Sequence, residues 1–228
     1  MRNHQAVSAW LEVELAAGRL GIGSRLPGER AMAEQLKVSR TSVREGIRVL
    51  EALGVLKAGV GSGPGAGTIV TANPAVALGS TLRLHIASSH LPVSDIVETR
   101  LLLETWAAAH AESDAVSMVA AERLLAEMDR PGLKAPEFLA LDALFHVALA
   151  EAAGNVLVGA MMASLRESIQ TYTQRLTVDL PNWHSTAARL RSEHREILDA
   201  VRDGKGQLAA DHVARHIEGF YREAGFQE

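Results

Sequence analysis

Two sets of residues in this chain have the types and spacing to do chemistry. Arg40 and Arg44 are four apart, with Thr41 and Ser42 beside them and Ser39 just before. On a helix such a pair shares one face. Arginine is the usual donor to guanine O6 and N7, and hydroxyls commonly take phosphates. A helix entering the major groove N-terminus first would set these groups against DNA, and the helix end itself favours an anion. Arg30, at the start of the preceding helical stretch, is placed to grip a phosphate backbone. An isolated Arg-x-x-x-Arg more often marks a solvated basic face. Here the order helix, turn, helix, glycine-rich hairpin runs through LPGERAMAEQLKVSRTSVREGIRVLEALGVLKAGVGSGPGAGTIV, and that order points to DNA.

The second set is rich in imidazole. Asp142 and His146 are four apart in LALDALFHVALAEAAGN, so both project from one face of a helix. His194 lies in SEHREILDAV and His216 in ADHVARHIEGF, each on its own helix by periodicity. One carboxylate and three imidazoles converging from three helices would bind a borderline divalent cation, Zn²⁺ foremost, with Ni²⁺ or Mn²⁺ as alternatives. Taken singly, each histidine reads more simply as a core or surface residue. His212 sits one turn before His216, and periodicity does not choose between them. The chain has no cysteine, which excludes thiolate sites and disulfides. Trp10, Trp106 and Trp183 read as packing residues, and Glu104 and His110 as facing solvent or a neighbouring helix.

The elements that must position these groups are mostly helices. Val7, Trp10, Leu11, Val13 and Leu15 give an amphipathic first helix closed by Gly18. RLGIGSRLPGE reads as a loop, and a second helix after Pro27 carries Ala31, Ala33 and Leu36 inward. Val38-Ser39 makes the turn, with Ser39 a candidate N-cap. A third helix aligns Val43, Ile47, Leu50 and Leu53 and ends at Gly54. Val55–Ala58 and Thr68–Thr71 are strand candidates around GVGSGPGAG. Beyond Pro74 the spans 75–89, 94–111, 113–128, 135–153, 155–178, 182–203 and 206–224 all read as helix, broken at proline, glycine and asparagine. Short loops between long helices predict an antiparallel bundle.

Composition agrees. Of 228 residues 47% are apolar and only 4% aromatic, which favours helix packing over a sandwich or barrel. The net charge of −4 hides an asymmetry. Residues 1–72 hold nine Lys/Arg against six Asp/Glu, and the remainder holds 14 against 21. A basic head on an acidic body suits a DNA reader joined to a module with another task. The N-terminal segment carries acids where a signal peptide needs an apolar core, and no apolar run approaches the ~20 residues of a membrane span. A cytoplasmic protein without a membrane partner is expected.

The segments LPGERAMAEQL, VSRTSVREGIRVLEALG and the hairpin ending GTIV resemble the winged helix-turn-helix head of GntR-type bacterial regulators. The resemblance covers residues 5–71. It implies that Arg30, Arg40, Thr41 and Arg44 occupy DNA-contact positions and that the hairpin tip reaches the minor groove. The wing AGVGSGPGAG is longer than usual and lacks the basic residue often found there. The order D-x-x-x-H, then E-H-R-x-I-L-D-A-V, then a histidine 22 residues on, is similar to the FCD effector domain of the FadR subgroup. Over residues 78–224 that likeness implies Asp142, His146, His194 and His216 as metal ligands, leaves His212 out, and puts Arg100 where it could face an effector.

The expectation is therefore a mainly α protein. A winged helix-turn-helix (1–72), a linker (73–77) and an all-α antiparallel bundle (78–228) make up a transcriptional regulator, not an enzyme. It would bind a palindromic double-stranded operator as a homodimer, because two-fold protein symmetry matches two half-sites. A small carboxylate at the metal site would control operator affinity, with repression the commoner mode. Two other readings are a metal sensor, with the cation itself as effector, and a metal-dependent hydrolase, which lacks a positioned general base and leaves the head unexplained.

Overall fold

A computed structural model describes residues 5–59, 67–71, 73–88 and 91–225. The chain divides into two compact units, Met1–Leu78 and Gly79–Glu228.

In the first unit, α1 (Gln5–Ala16), α2 (Glu29–Leu36) and α3 (Arg40–Ala52) enclose a small core of Val7, Leu11, Met32, Val43, Ile47 and Leu50. Lys37 closes α2 in the left-handed region, with φ 54° and its N–H donating to the Ala33 carbonyl. Ser39 then caps α3, its Oγ accepting from the Ser42 N–H at 3.0 Å. This pair of caps makes the turn tight. Two inward faces differ from expectation. Met32 rather than Ala31 enters the core, and Leu53 stays half exposed, because α3 ends at Ala52 and Leu53 lies beyond its last turn. Val13 and Leu15 likewise remain on the surface.

The hairpin pairs β1 (Leu56–Gly59) with β2 (Gly67–Val70), antiparallel, with Leu56 opposite Val70. Residues read as loop add to it: Arg25 bridges Ile69, and Leu26 N–H donates to the Thr68 carbonyl. The wing is thereby anchored on three segments. Its tip, residues 60–66, lies outside the described residues, and with it the expectation of a minor-groove contact. Gly54 needs to be glycine on two counts. Its φ is +68°, and a Cβ there would sit 2.2 Å from the Asn73 carbonyl oxygen.

In the second unit, α4 (Pro74–Ala87, from Gly79 on) and α5 (Val93–His110), α6 (Val116–Met128), α7 (Ala135–Ala152), α8 (Val156–Leu176), α9 (Trp183–Arg202) and α10 (Gly206–Glu223) form a bundle. Asn155 and Asn182 cap α8 and α9. Helix α7 is buried nearly all round, from Phe138 to Ala152, as a central helix must be. It packs on α5, α6 and α8, while α10 packs on α5 and α9. At Gly206 a Cβ would meet the Ala109 carbonyl oxygen at 2.2 Å, so the start of α10 can press against the end of α5. The tryptophans pack as expected in part: Trp183 meets Phe138 edge-on, and Trp106 stacks on His110 at the surface. No helix among the described residues is long and apolar enough to cross a membrane.

Candidate functional site

Helix α7 turns Asp142 and His146 toward α9 and α10, where His194 and His216 wait. One ligand atom from each of the four lies within 4.8 Å of the others, and all four residues are buried. His194 Nε2 is 3.1 Å, His216 Nε2 3.7 Å and His146 Nε2 3.9 Å from Asp142 Oδ1. His212 faces outward to Glu196 instead, so of the two histidines left open by periodicity it is His216 that joins the cluster.

The outer nitrogens explain the inner ones. His146 Nδ1 lies 2.5 Å from Glu104 Oε2, and His216 Nδ1 is hydrogen-bonded to Glu193 Oε2 at 2.8 Å. A carboxylate on Nδ1 assigns the proton there and leaves the Nε2 lone pair pointing inward. Two such lone pairs, His146 Nε2 and His216 Nε2, stand 3.2 Å apart beside the Asp142 carboxylate. The separation is about that of two nitrogens each ~2.0–2.1 Å from one shared Zn²⁺. Neither nitrogen of His194 is hydrogen-bonded among the described residues, although the ring is fully buried. Burial pushes its pKa down to about 4 against the pull of Asp142, so the ring stays neutral and ready to ligate. For Asp142, burial favours the neutral acid, but His194 and the other two imidazoles hold the carboxyl below the usual range. Three buried imidazoles and one carboxylate, with their ligand atoms this close together, fit a divalent ion of borderline softness.

Arg100 on α5 sits beside this cluster. Its Nε donates to Glu104 Oε1 at 2.7 Å and its Nη1 to the Tyr221 hydroxyl at 3.0 Å. Tyr221 in turn donates to Tyr172 at 2.7 Å. Burial opposes the guanidinium charge, yet Glu104 and the tyrosines keep it protonated. Burial likewise opposes the Glu104 carboxylate, and Arg100 and His146 prevail, setting its pKa at about 2. Arg100, Asp142, His216 and Tyr221 line a small cavity of about 10 Å³, room for one water.

Of the two alternatives left open for Glu104, solvent or a neighbouring helix, it takes the second: it is 1% exposed, faces α7 and joins Arg100 to His146. The i, i+4 spacing of Arg100 and Glu104 was the available signal. Glu193, adjacent to His194 in sequence but turned toward His216, was missed. It is tied outward to Arg189 at 2.6 Å.

On the first unit, Arg40, Thr41 and Arg44 are exposed along the start of α3, and Arg30 is exposed on α2. Glu29, which sequence reading left in a helix first turn, organises this face. It accepts from Arg44 Nε at 3.1 Å and Nη2 at 2.7 Å, with Arg40 Nη2 at 4.0 Å. Arg30 pairs with Glu34 at 3.1 Å. Ser42 departs from its expected DNA contact: it is turned inward, its hydroxyl 2.9 Å from that of Ser39, because the cap uses it. Ser39 itself is exposed but engaged as the cap.

With this geometry in view, residues 3–65 match the bacterial regulatory proteins of the gntR family and residues 95–219 the FCD domain. The chain is 26% identical over 211 residues to the HTH-type transcriptional regulator LutR of Bacillus subtilis, covering 88% of this chain and 91% of that one. It is 28% identical over 212 residues to a regulatory protein of Escherichia coli named for an L-lactate dehydrogenase operon, covering 87% and 77%. A solved GntR structure from Streptococcus agalactiae superposes with a TM-score of 0.67 at 26% identity, over 96% of this chain and 99% of that one. A winged helix-turn-helix ahead of a helical bundle is thus matched part by part, and the chain belongs to the GntR family of bacterial transcriptional regulators, in the branch that carries an FCD domain.

Proposed function

We propose that this regulator holds a divalent metal ion on Asp142, His146, His194 and His216, and that a small carboxylate taken up beside it controls operator binding. The observation that carries the reading is the pair of Nε2 atoms 3.2 Å apart beside Asp142, each ring with a carboxylate against its Nδ1 on the far side. The ion supplies positive charge and open coordination positions; the chain supplies Arg100 and the wall of a small cavity, sized for one water, that must widen to admit the carboxylate. Fully buried charge supports an anion. Arg100 against Asp142 and Glu104 leaves one negative charge, which a divalent ion turns into one positive, and a carboxylate then restores neutrality. The relative named for an L-lactate dehydrogenase operon makes a hydroxy acid the first candidate.

In the head, Arg40, Thr41 and Arg44 contact bases and phosphates of each half-site, Arg30 grips the backbone, and Ser39 orders the helix end that they share. Two copies bind a palindromic operator as a homodimer. Effector binding favours one arrangement of the heads through differential affinity, and release of DNA relieves repression.

The experiment combines elemental analysis of the purified chain with operator binding by fluorescence anisotropy, run with and without L-lactate, before and after chelator dialysis. One ion per chain and lactate-dependent release only in the metal-loaded form are expected. Switching by metal alone, without any carboxylate, would instead establish the metal-sensor reading. Absence of stoichiometric metal would overturn both.

A further inference from the structure

A second cavity lies in the same unit, on the other side of Tyr172. It has a volume of about 710 Å³ and is lined by Arg83 and Ile86 of α4, Pro92 before α5, and Ser168, Tyr172 and Arg175 of α8. That size is in the range of small-molecule sites. It shares no lining residue with the small cavity at the metal cluster. Among the described residues no carboxylate lines it, while two guanidinium groups do. Arg83 is steadied at the rim by Glu167 at 2.6 Å and by the Ser80 hydroxyl at 3.0 Å.

Two hydroxyls in this cavity are short of acceptors. On α8, Ser164, Thr171 and Thr173 each return their hydroxyl to a backbone carbonyl of the same helix. Ser168, 3% exposed, has no hydrogen-bond partner among the described residues. A buried hydroxyl left so is costly and marks a place where an acceptor belongs. Tyr172 tells the same story by direction. Arginine can only donate, so Arg100 gives to Tyr221, Tyr221 gives to Tyr172, and the Tyr172 proton remains to be given onward.

We propose that this cavity is a second ligand site, separate from the metal centre, for a small organic anion with an apolar body. The anionic head is held by Arg175 and Arg83 and accepts from Ser168 and Tyr172, and the body lies on Ile86 and Pro92. Tyr172 is common to this cavity and to the hydrogen-bond chain that reaches Arg100 and the metal cluster, so the two sites communicate through one hydroxyl.

Calorimetric titration of the full, metal-loaded chain with phenyl phosphate and with benzoate tests this. Saturable binding of one probe per chain is expected, with inorganic phosphate and benzyl alcohol each weaker by about tenfold or more, because each offers half of the match. Arg175→Ala and Ser168→Ala should each weaken the probe by about tenfold, whereas His194→Ala, which lacks the ion, should still bind it saturably. Ser168→Ala removes an unpaired hydroxyl, so its fold is not at risk, and circular dichroism checks the others. Absence of saturable binding by either probe overturns the site, as does binding that survives Arg175→Ala intact or vanishes in a folded His194→Ala.

Discussion

Arg44 meets Glu29 and Arg100 meets Glu104 with the same 2.7 Å contact, yet the side chain of the first arginine is 53% exposed and that of the second 3%. In the head, both partners stay in water, where an ion pair is easily exchanged for another anion such as a phosphate. In the body, neither partner can be rehydrated without opening the core, so the pair is a fixed part of the site and orients His146. The same chemical bond is a replaceable contact in one unit and a permanent one in the other. Burial, rather than residue type, decides which.

Removing one carboxylate from each pair puts that contrast at its greatest. Glu104→Gln leaves a buried guanidinium without its counter-charge and should destabilise the chain by ~3–5 kcal/mol, lowering the melting temperature by roughly 6–20 °C. It should also weaken metal binding by about 10- to 100-fold, read by competition with a chelating dye. Glu29→Gln should shift the melt by about 2 °C or less. Equal shifts in calorimetry would break the comparison.

Metal removal comes next. At ion concentrations about a thousandfold above Kd, linkage stabilises the fold by ~4 kcal/mol, so chelator dialysis or His194→Ala should each lower the melt by roughly 8–16 °C and strip the ion from the protein. His212→Ala, facing Glu196 outside the cluster, should do neither. Elemental analysis beside each melt decides it, and full metal in His194→Ala would exclude that ligand.

On the exposed side the effect is on partner affinity instead. Arg44→Ala should weaken operator binding by roughly 5- to 150-fold per half-site and relax sequence preference, with the fold intact. Unchanged anisotropy titrations with a folded dimer would show that Glu29 keeps Arg44 away from DNA. The smallest effect belongs to the wing. No Lys or Arg lies between Ala58 and Thr71, so deleting four residues of GSGPGAG should leave the salt dependence of operator binding nearly unchanged. A clearly shallower slope would mean that the wing neutralises phosphates after all.

Local signals carried most of the fold and half of the site. The span of α7 was legible because a mostly apolar stretch is bounded by Pro131-Gly132 and Gly154-Asn155, and the Asp142–His146 pair followed from its pitch. Ser39 was legible as a cap by residue type. What stayed open or was missed needed tertiary neighbours. Glu104 acquires its role only when α5 lies against α7, and no periodicity on one helix reports that pairing. Glu193 stands next to a ligand in sequence but serves a different one, since adjacent helical residues diverge by about 100°. Ser42 and Leu53 failed for a shared reason. Both sit at a helix end, where capping geometry overrides the face pattern of the interior.

The bare ring of His194 has a consequence for the lifetime of the chain. A fold that leaves two buried nitrogens unmet is weaker until an ion arrives, and on the proposed loading the metal-free copies spend more time open. Proteases act on such open copies, at a rate set by how often they occur. The number of regulator molecules in a cell then follows its supply of the ion, and a shortage thins out the regulator even where no effector is present. Measuring turnover of the chain after a pulse of chelator, against that of His212→Ala and His194→Ala, would read this directly: the first two should respond alike, and the third should be short-lived throughout.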